Sequence, residues 1–290
     1  MTQSIQIKAA RSQAAQGWHV FKKDKLAIAG ATIIILVTLI SIFAPIIAPY
    51  DPNVTQGPRL QPIGTSGHPL GLDGQGRDIL SRLIWGGRLS LVSAIIPLLF
   101  MFFISLFIGL LAGFFPKLGE VVMRVLDILF AFPMVLIAVG IASIVGAGLF
   151  AIMLSISLVL LPYMSRVVYT ATVEERDKEY VEAARALGSS QSDIMFRELL
   201  PNVISALIVY ATTLAGVMIV FSAGLSFLGL GIQPPDADWG RMTATGLTVM
   251  TQGAPHVATL PGVIILIVAT AFNWLGDGLQ DVFNPYKRTE

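Results

Sequence analysis

Few residues of this chain combine a reactive type with a useful spacing, and the clearest pair is Arg124 and Asp127. They stand three residues apart, so a helix would place both side chains on one face. These two residues and Asp277 lie beside the ends of hydrophobic segments. Residues in such places either form ion pairs at a membrane surface or relay protons through the membrane. Both interpretations are open for these three.

Other kinds of chemistry lack a matching residue pattern. The sequence has no cysteine, and its three histidines, His19, His68 and His256, are far apart. Neither a disulfide framework nor a metal cluster is therefore expected. The glycine-rich Gly146-Ala147-Gly148 lacks the lysine of a phosphate-binding loop. We expect no catalytic, cofactor-binding or metal site in the chain, and any ATP with its magnesium would be bound by a separate subunit.

The composition predicts an integral membrane protein. Hydrophobic residues make up 54% and charged residues 13% of the 290 positions, and the mean hydropathy is +0.75. These values lie far from the balance of soluble domains. The net charge of +1 gives no indication of nucleic-acid binding.

Six segments have the roughly 20 apolar residues that a membrane-spanning helix needs. They predict an all-α protein with spans at 26–48, 89–115, 128–145, 149–168, 203–230 and 257–276. Glycines within the spans predict close helix crossings at Gly109, Gly113, Gly140, Gly216 and Gly224. The central parts of the second, fifth and sixth spans hold no ionisable residue, which argues against a carrier coupled to protons or sodium.

The basic residues predict the orientation. With Met1 in the cytosol, all seven lysines and seven of the twelve arginines fall in cytosolic segments. Because cytosolic loops retain Lys and Arg, we expect both termini to be cytosolic. The predicted organisation is a cytosolic segment 1–25, a first helix 26–48, an extracytoplasmic loop 49–88, a five-helix core 89–279 with a cytosolic loop at about 170–202, and a cytosolic tail 280–290.

A polar segment, 174–201, interrupts the hydrophobic part of the chain on the cytosolic side. Three- and four-residue spacing places Tyr180, Ala183, Ala184 and Leu187 on one face of a short amphipathic helix. The small alanines would let the surface of another protein approach closely. The segment is therefore either a docking surface for a cytosolic protein or a plain amphipathic connector.

The sequence also predicts where this helix ends. Gly188 suits the left-handed residue that closes a helix, and Ser190 with Asp193 resembles a capping box. We expect a second helix after this turn, ending before Pro201.

These residues resemble a known motif, the cytosolic EAA loop in transmembrane subunits of ABC importers. The matching positions are Glu182-Ala183-Ala184, Gly188 and Leu200-Pro201. More of the chain, about 18–286, is similar to the C-type permease subunit of dipeptide and oligopeptide importers. The motifs that carry this likeness include Phe43-Ala44-Pro45, Leu70-Gly71-Leu72-Asp73, Gly76-Arg77-Asp78, Leu225-Ser226-Phe227, Trp239-Gly240 and Phe272-Asn273.

The resemblance implies a type I ABC importer permease with six transmembrane helices in a bacterial inner membrane. Its partners would be a second homologous permease, two cytosolic ATPase subunits, an extracytoplasmic solute-binding protein and membrane lipid. Coupling to the ATPases would be carried by Glu182, Ala183, Ala184, Gly188, Leu200 and Pro201. Di- and oligopeptides are the implied cargo, with nickel chelates or glutathione as alternatives.

The loop 49–88 is longer than a connector needs. We expect Arg77, Asp78 and Arg82 to start a short interfacial helix with outward polar groups, which would dock the binding protein or pack as a scaffold against the partner permease. In the last outer loop, Trp239 is expected at the membrane interface as an aromatic anchor.

Two other classes of function are weaker. An ion-coupled carrier lacks a carboxylate at the membrane midplane. A membrane-embedded enzyme or structural scaffold would need a polar catalytic cluster in the bilayer, and the sequence shows none.

Overall fold

The computed structural model describes residues 13–283, which are mostly helical, contain no β-strand and include a long irregular loop at 48–78. The six longer helices within these residues are α2 Lys25–Ile42, α4 Ile79–Phe114, α5 Pro116–Phe130, α7 Leu149–Arg176, α10 Leu200–Phe227 and α12 His256–Phe283. Shorter helices are α1 Gln13–Lys23, α3 Ala44–Ile47, α6 Met134–Val145, α8 Glu179–Ala186, α9 Gln191–Asp193 and α11 Trp239–Leu247. A π-helical segment, Ile194–Leu199, joins α9 to α10.

Five helical segments within residues 13–283 are long and apolar enough to cross a membrane. They are α2, α4, α7, the continuous run Gln191–Phe227 that contains α10, and α12. An all-α membrane protein is thus confirmed. Most of the predicted tail, and the start of the cytosolic segment 1–25, lie outside the described residues.

The third predicted span is not one helix. Residues 128–145 begin in the last turn of α5, and α5 and α6 meet at a bend of 83°. Pro133 precedes α6. Proline disfavours helical backbone angles in the residue before it, Phe132, so the helix is interrupted here. With 12 residues, α6 reaches about 18 Å, well short of a 30 Å hydrocarbon core. A sixth crossing therefore exists only if the bent pair forms one broken span.

Two other boundaries also differ from the expectation. The first span divides at Phe43 into α2 and the short α3, which carries Pro45 in its first turn. The second helix starts at Ile79 rather than at 89, so the end of the predicted loop 49–88 is already helical. Asp78 caps that helix by accepting a hydrogen bond from the amide of Ser81 at 2.7 Å.

The helix α4 crosses α7 closely because glycines face it. A methyl group at Gly109 would lie 2.5 Å from Cβ of Val168, and one at Gly113 would lie 2.6 Å from Cβ of Thr172. A methyl group at Gly216 of α10 would likewise lie 2.7 Å from the carbonyl oxygen of Ala269 in α12. These three crossings were expected and are confirmed.

Gly140 and Gly224 behave differently. Each has open space where a side chain would stand, with no atom of the described residues within 4 Å. The prediction of a close crossing inside this chain is therefore wrong for both positions.

Candidate functional site

The predicted amphipathic helix exists as α8, Glu179–Ala186. Its inward face is narrow: Val181 is fully buried, and Ala184 packs partly against the core. Glu182 and Ala183 are exposed on the outer side. Ala184 therefore does not share the exposure of Ala183, although three- and four-residue spacing had placed both on the same face.

The turn after α8 confirms the role expected for Gly188. Its φ of +83° lies in the left-handed region, which residues with a Cβ resist. The amide of Ser189 donates to the carbonyl of Ala184 at 3.1 Å, which closes the helix end. A Cβ atom added to Gly188 would have no atom of the described residues within 4 Å, so the positive φ, and not a lack of space, favours glycine here.

The second helix begins as predicted but does not stop before Pro201. Ser190 accepts a hydrogen bond from the amide of Asp193 at 3.1 Å and caps the helix. The chain then passes through the π-helical segment into α10 without a break. Leu200 donates its amide to the carbonyl of Met195, five residues back. This wider turn accommodates Pro201, which has no amide hydrogen to donate.

Three large apolar side chains are exposed on this loop, although most of its exposed residues are polar or charged. They are Leu187, which is 87% exposed, Phe196 and Tyr180. Exposed apolar groups among polar ones are a feature of protein contact surfaces. Docking of another protein on this loop stays a prediction.

Tyr180 fastens the loop to two long helices. Its hydroxyl donates to Oε2 of Glu175 near the end of α7 at 2.7 Å, and it accepts from the amide nitrogen of Asn202 in α10 at 3.2 Å. Burial, together with the hydrogen bond to Glu175, raises the pKa of Tyr180 to about 12, so the hydroxyl stays protonated at physiological pH. Sequence reasoning assigned Tyr180 only a place on a helix face. Its spacing from Asn202 gave no signal of the contact.

A second polar cluster lies at the outer end, where Arg77, Asp78 and Arg82 were expected to point outward. That expectation of outward polar groups is wrong: Asp78 is fully buried, and the two arginines are nearly so. The Arg77 guanidinium pairs with Asp73 at 2.8 Å, and Arg82 donates to the carbonyl of Pro52 at 2.7 Å. Unpaired charges would be costly to bury, so these contacts are what allow the two arginines to lie inside the loop. They also connect distant parts of the loop to one another.

Asp78 has more than a capping role. Its carboxylate also contacts Nδ1 of His68 at 2.9 Å and accepts from the Ser81 hydroxyl at 2.7 Å. These contacts join the start of α4 to the middle of the loop. Whether Arg77, Asp78 and Arg82 take part in docking a binding protein stays a prediction.

Sequence reasoning missed Asp238, and it misplaced Trp239. Asp238 is buried and accepts from the Ser90 hydroxyl at 2.7 Å, and burial raises the pKa of its carboxyl group. Trp239 is buried rather than interfacial, and its indole donates to the carbonyl of Leu83 at 2.9 Å. The two residues fix α11 against α4.

Comparison with known proteins identifies the family of this chain of apolar helices. Residues 105–289 match the family described as binding-protein-dependent transport system inner membrane component. The chain belongs to this transport family. Residues 12–62 also match the N-terminal transmembrane domain of oligopeptide transport permease C.

Several curated permeases are similar along nearly the whole chain. The glutathione transport system permease protein GsiD of Pectobacterium atrosepticum is 36% identical over 283 residues, covering 97% of this chain and 94% of its own. The di/tripeptide transport system permease protein DppC of Pseudomonas aeruginosa is 38% identical over 275 residues, covering 92% and 90%. GsiD of Escherichia coli is 36% identical over 280 residues, covering 92% and 89%.

Family membership settles the class of function. The chain is a multi-pass inner-membrane permease subunit of a binding-protein-dependent ABC importer. It is a transport component, and such subunits work with another permease, ATPases and a binding protein. The ion-coupled carrier and the membrane enzyme considered from the sequence are thereby set aside.

The turn at Gly188 generates a first prediction. Gly188→Val should leave the chain inserted but raise the ATP hydrolysed per substrate imported at least fivefold, because valine resists the left-handed conformation at a cost of about 1–2 kcal/mol. The measurement is uptake and ATPase activity of the reconstituted complex. Gly253→Val is the matched control, since Gly253 also has a positive φ and open surroundings but lies in another loop. Normal coupling in Gly188→Val would refute the role of this turn.

Tyr180 generates a second prediction. Tyr180→Phe removes both hydroxyl contacts and keeps the ring, so the complex should assemble while uptake per ATP falls about threefold or more. Glu175→Gln should have a smaller effect of the same kind, and the double variant should add little to Tyr180→Phe, because the two residues share one hydrogen bond and the other partner of Glu175, Lys178, forms only a surface ion pair with it. Additive losses would show that the two side chains act separately.

Proposed function

We propose that this chain forms, with a second homologous permease, the translocation path of an importer for short peptides. The observation that carries the proposal is α8, an exposed helix with apolar and acidic groups that is joined by Tyr180 to both α7 and α10. A force applied to α8 reaches two membrane helices directly. Two ATPase subunits, which bind ATP and magnesium, would supply that force from the cytosol.

In this proposal six residues carry the coupling. Glu182 and Ala183 form the contact surface, and Ala184 seats the helix against the bundle. Gly188 holds the turn. Leu200 and Pro201 lie in the first turn of α10, where the loop re-enters the membrane bundle.

The names of the relatives support a peptide cargo. Two of the similar permeases are named for glutathione and one for di- and tripeptides. All of these are short, zwitterionic peptides. Glutathione is therefore the second candidate substrate, ahead of the nickel chelates that the sequence resemblance also allowed.

The placement of the basic residues supports an orientation with both termini and α8 in the cytosol. The outer loop and α11 then face the binding protein. We infer that the buried charges of Arg77, Asp78 and Arg82 give this loop a fixed shape on which the binding protein docks.

Exposed charged side chains lie close to this loop. Asp51, Arg88 and Asp236 are exposed and line an outer cavity of about 450 Å³ together with Trp85. The Arg88 guanidinium lies 5.2 Å from the centre of the Trp85 ring. These exposed groups, rather than the buried ones, are the surface that we expect the binding protein to touch.

The docking surface has a direct test. Arg88→Glu should weaken stimulation of the ATPase by loaded binding protein about tenfold in concentration, since charges at an interface rim set the rate of association. Arg59→Glu is the control for charge reversal, because Arg59 is exposed in the loop that precedes α4 and does not line the cavity. Equal effects of both variants, or none, would contradict the assignment.

The whole proposal is tested by isolating the tagged chain from its native membrane in mild detergent. Mass spectrometry should find a second permease and two ATPases, and the reconstituted complex should import a tripeptide when ATP is supplied. Glu182→Lys should reduce the ATPase recovered with the chain at least threefold, because it reverses a charge on the proposed contact surface. Recovery of the wild-type chain alone, as a stable homo-oligomer, would overturn the proposal.

A further inference from the structure

One exposed face of the bundle carries an ion pair, whereas the exposed faces of α2 and α4 are largely apolar. Arg166 in α7 pairs with Asp127 in α5, and their side chains are 47% and 60% exposed. Phe130 lies beneath the Arg166 guanidinium, which is 4.7 Å from the centre of the ring. The pair thus stands on the outside of this chain, on a helix that belongs to a membrane span.

The remaining exposed surface of the spans shows the contrast. On α4 the exposed residues include Phe100, Phe103 and Phe107, and on α2 they include Leu36 and Leu39. Such surfaces suit lipid or an apolar protein contact. A charged pair in hydrocarbon would be costly, so the face around Arg166 meets water or polar groups, at the membrane surface or inside the assembled transporter.

A cavity of about 390 Å³ lies on this face, between α7, α10 and the end of α5. Its lining mixes aromatic, hydroxyl and charged side chains, among them Phe130, Tyr163, Arg166, Thr170, Glu174 and Tyr210. Phe130 and Tyr163 meet edge to face with ring centres 4.7 Å apart. The volume is within the range of cavities that hold small ligands, and the few polar groups on aromatic walls are typical of such sites.

We propose that this cavity is a station on the translocation path where Arg166 binds the terminal carboxylate of a short peptide. The inference rests on the proposed function, because it needs a peptide to be passing. An exposed ion pair contributes little to stability, so a peptide carboxylate can take the place of Asp127. The guanidinium fork suits two parallel hydrogen bonds to a carboxylate, and the Phe130 ring holds the fork in place.

The opposite end of the cavity suits the other end of the peptide. Glu174 follows Arg166 by eight residues on α7, about 12 Å along the helix axis. Glu174 forms no ion pair with any of residues 13–283. Three or four extended residues span about 10–13 Å, so a tripeptide can reach from Arg166 to Glu174, which would accept its terminal ammonium group.

The absence of cysteine from the sequence permits a sharp test. Thr170→Cys is placed in this chain, and the assembled complex is reconstituted with its cytosolic side accessible to a charged, membrane-impermeant thiol reagent. The extent of labelling is measured from the increase in mass of this chain, separately from the other subunits. We expect Thr170→Cys to react at least tenfold faster than Phe103→Cys, which lies on the apolar face of α4.

Protection by peptide tests the chemistry of the station. Trialanine should slow labelling of Thr170→Cys at least fivefold, and trialanine amide, which has no carboxylate, should not. The protection should disappear when Arg166→Gln is added. Lys117→Cys, at an exposed position of α5 that does not line the cavity, controls for general effects because it should react with or without peptide.

Each contrary result overturns a definite part of the inference. Labelling of Thr170→Cys as slow as that of Phe103→Cys would place the cavity against lipid or a dry interface. Equal protection by the peptide and its amide would exclude a carboxylate station. ATP-driven uptake by the wild-type complex, measured separately, distinguishes either failure from failure of the proposed function.

Discussion

The cost of leaving a charge or a backbone group without a partner inside a membrane shapes this molecule. Helices satisfy the backbone within themselves, which explains why the membrane part contains nothing else. Ionisable side chains follow the same constraint. They pair within the buried part of the loop before α4, gather around exposed α8, or, like Arg166 and Asp127, form an ion pair on the outside of a membrane helix.

The two ends of the bundle use their polar groups in opposite ways. At the start of α4, Asp73, Arg77 and Asp78 are buried and tie the chain to itself, so the loop before this helix has a defined shape. In α8, Val181 is the one buried residue and most of the other side chains are exposed. In the proposed orientation, the cargo would arrive at the loop with the buried charges and the force would act on exposed α8.

Much of this was accessible from the sequence. The lengths of the apolar segments located most of the spans. The need for a left-handed residue at the end of a helix identified Gly188 from the sequence alone. The break at Pro133 was missed because apolar composition continues across it, so hydropathy alone cannot distinguish a bent pair from a straight span. Burial of Arg77 and Asp78 was missed for a related reason. Charge predicts exposure unless a partner is known, and their partners Asp73 and His68 are recognisable only once the loop has folded.

The π-helical turn before Pro201 holds one residue more than an α-turn, so the residues before it are rotated by about 100° relative to an uninterrupted helix that keeps every residue. That rotation contributes to the direction in which α8 projects from the bundle. Rewinding the segment 194–199 as an α-helix with all of its residues kept would turn the loop to another side. Removing one residue together with the π-turn would instead restore an α-turn and leave the direction of the loop nearly unchanged.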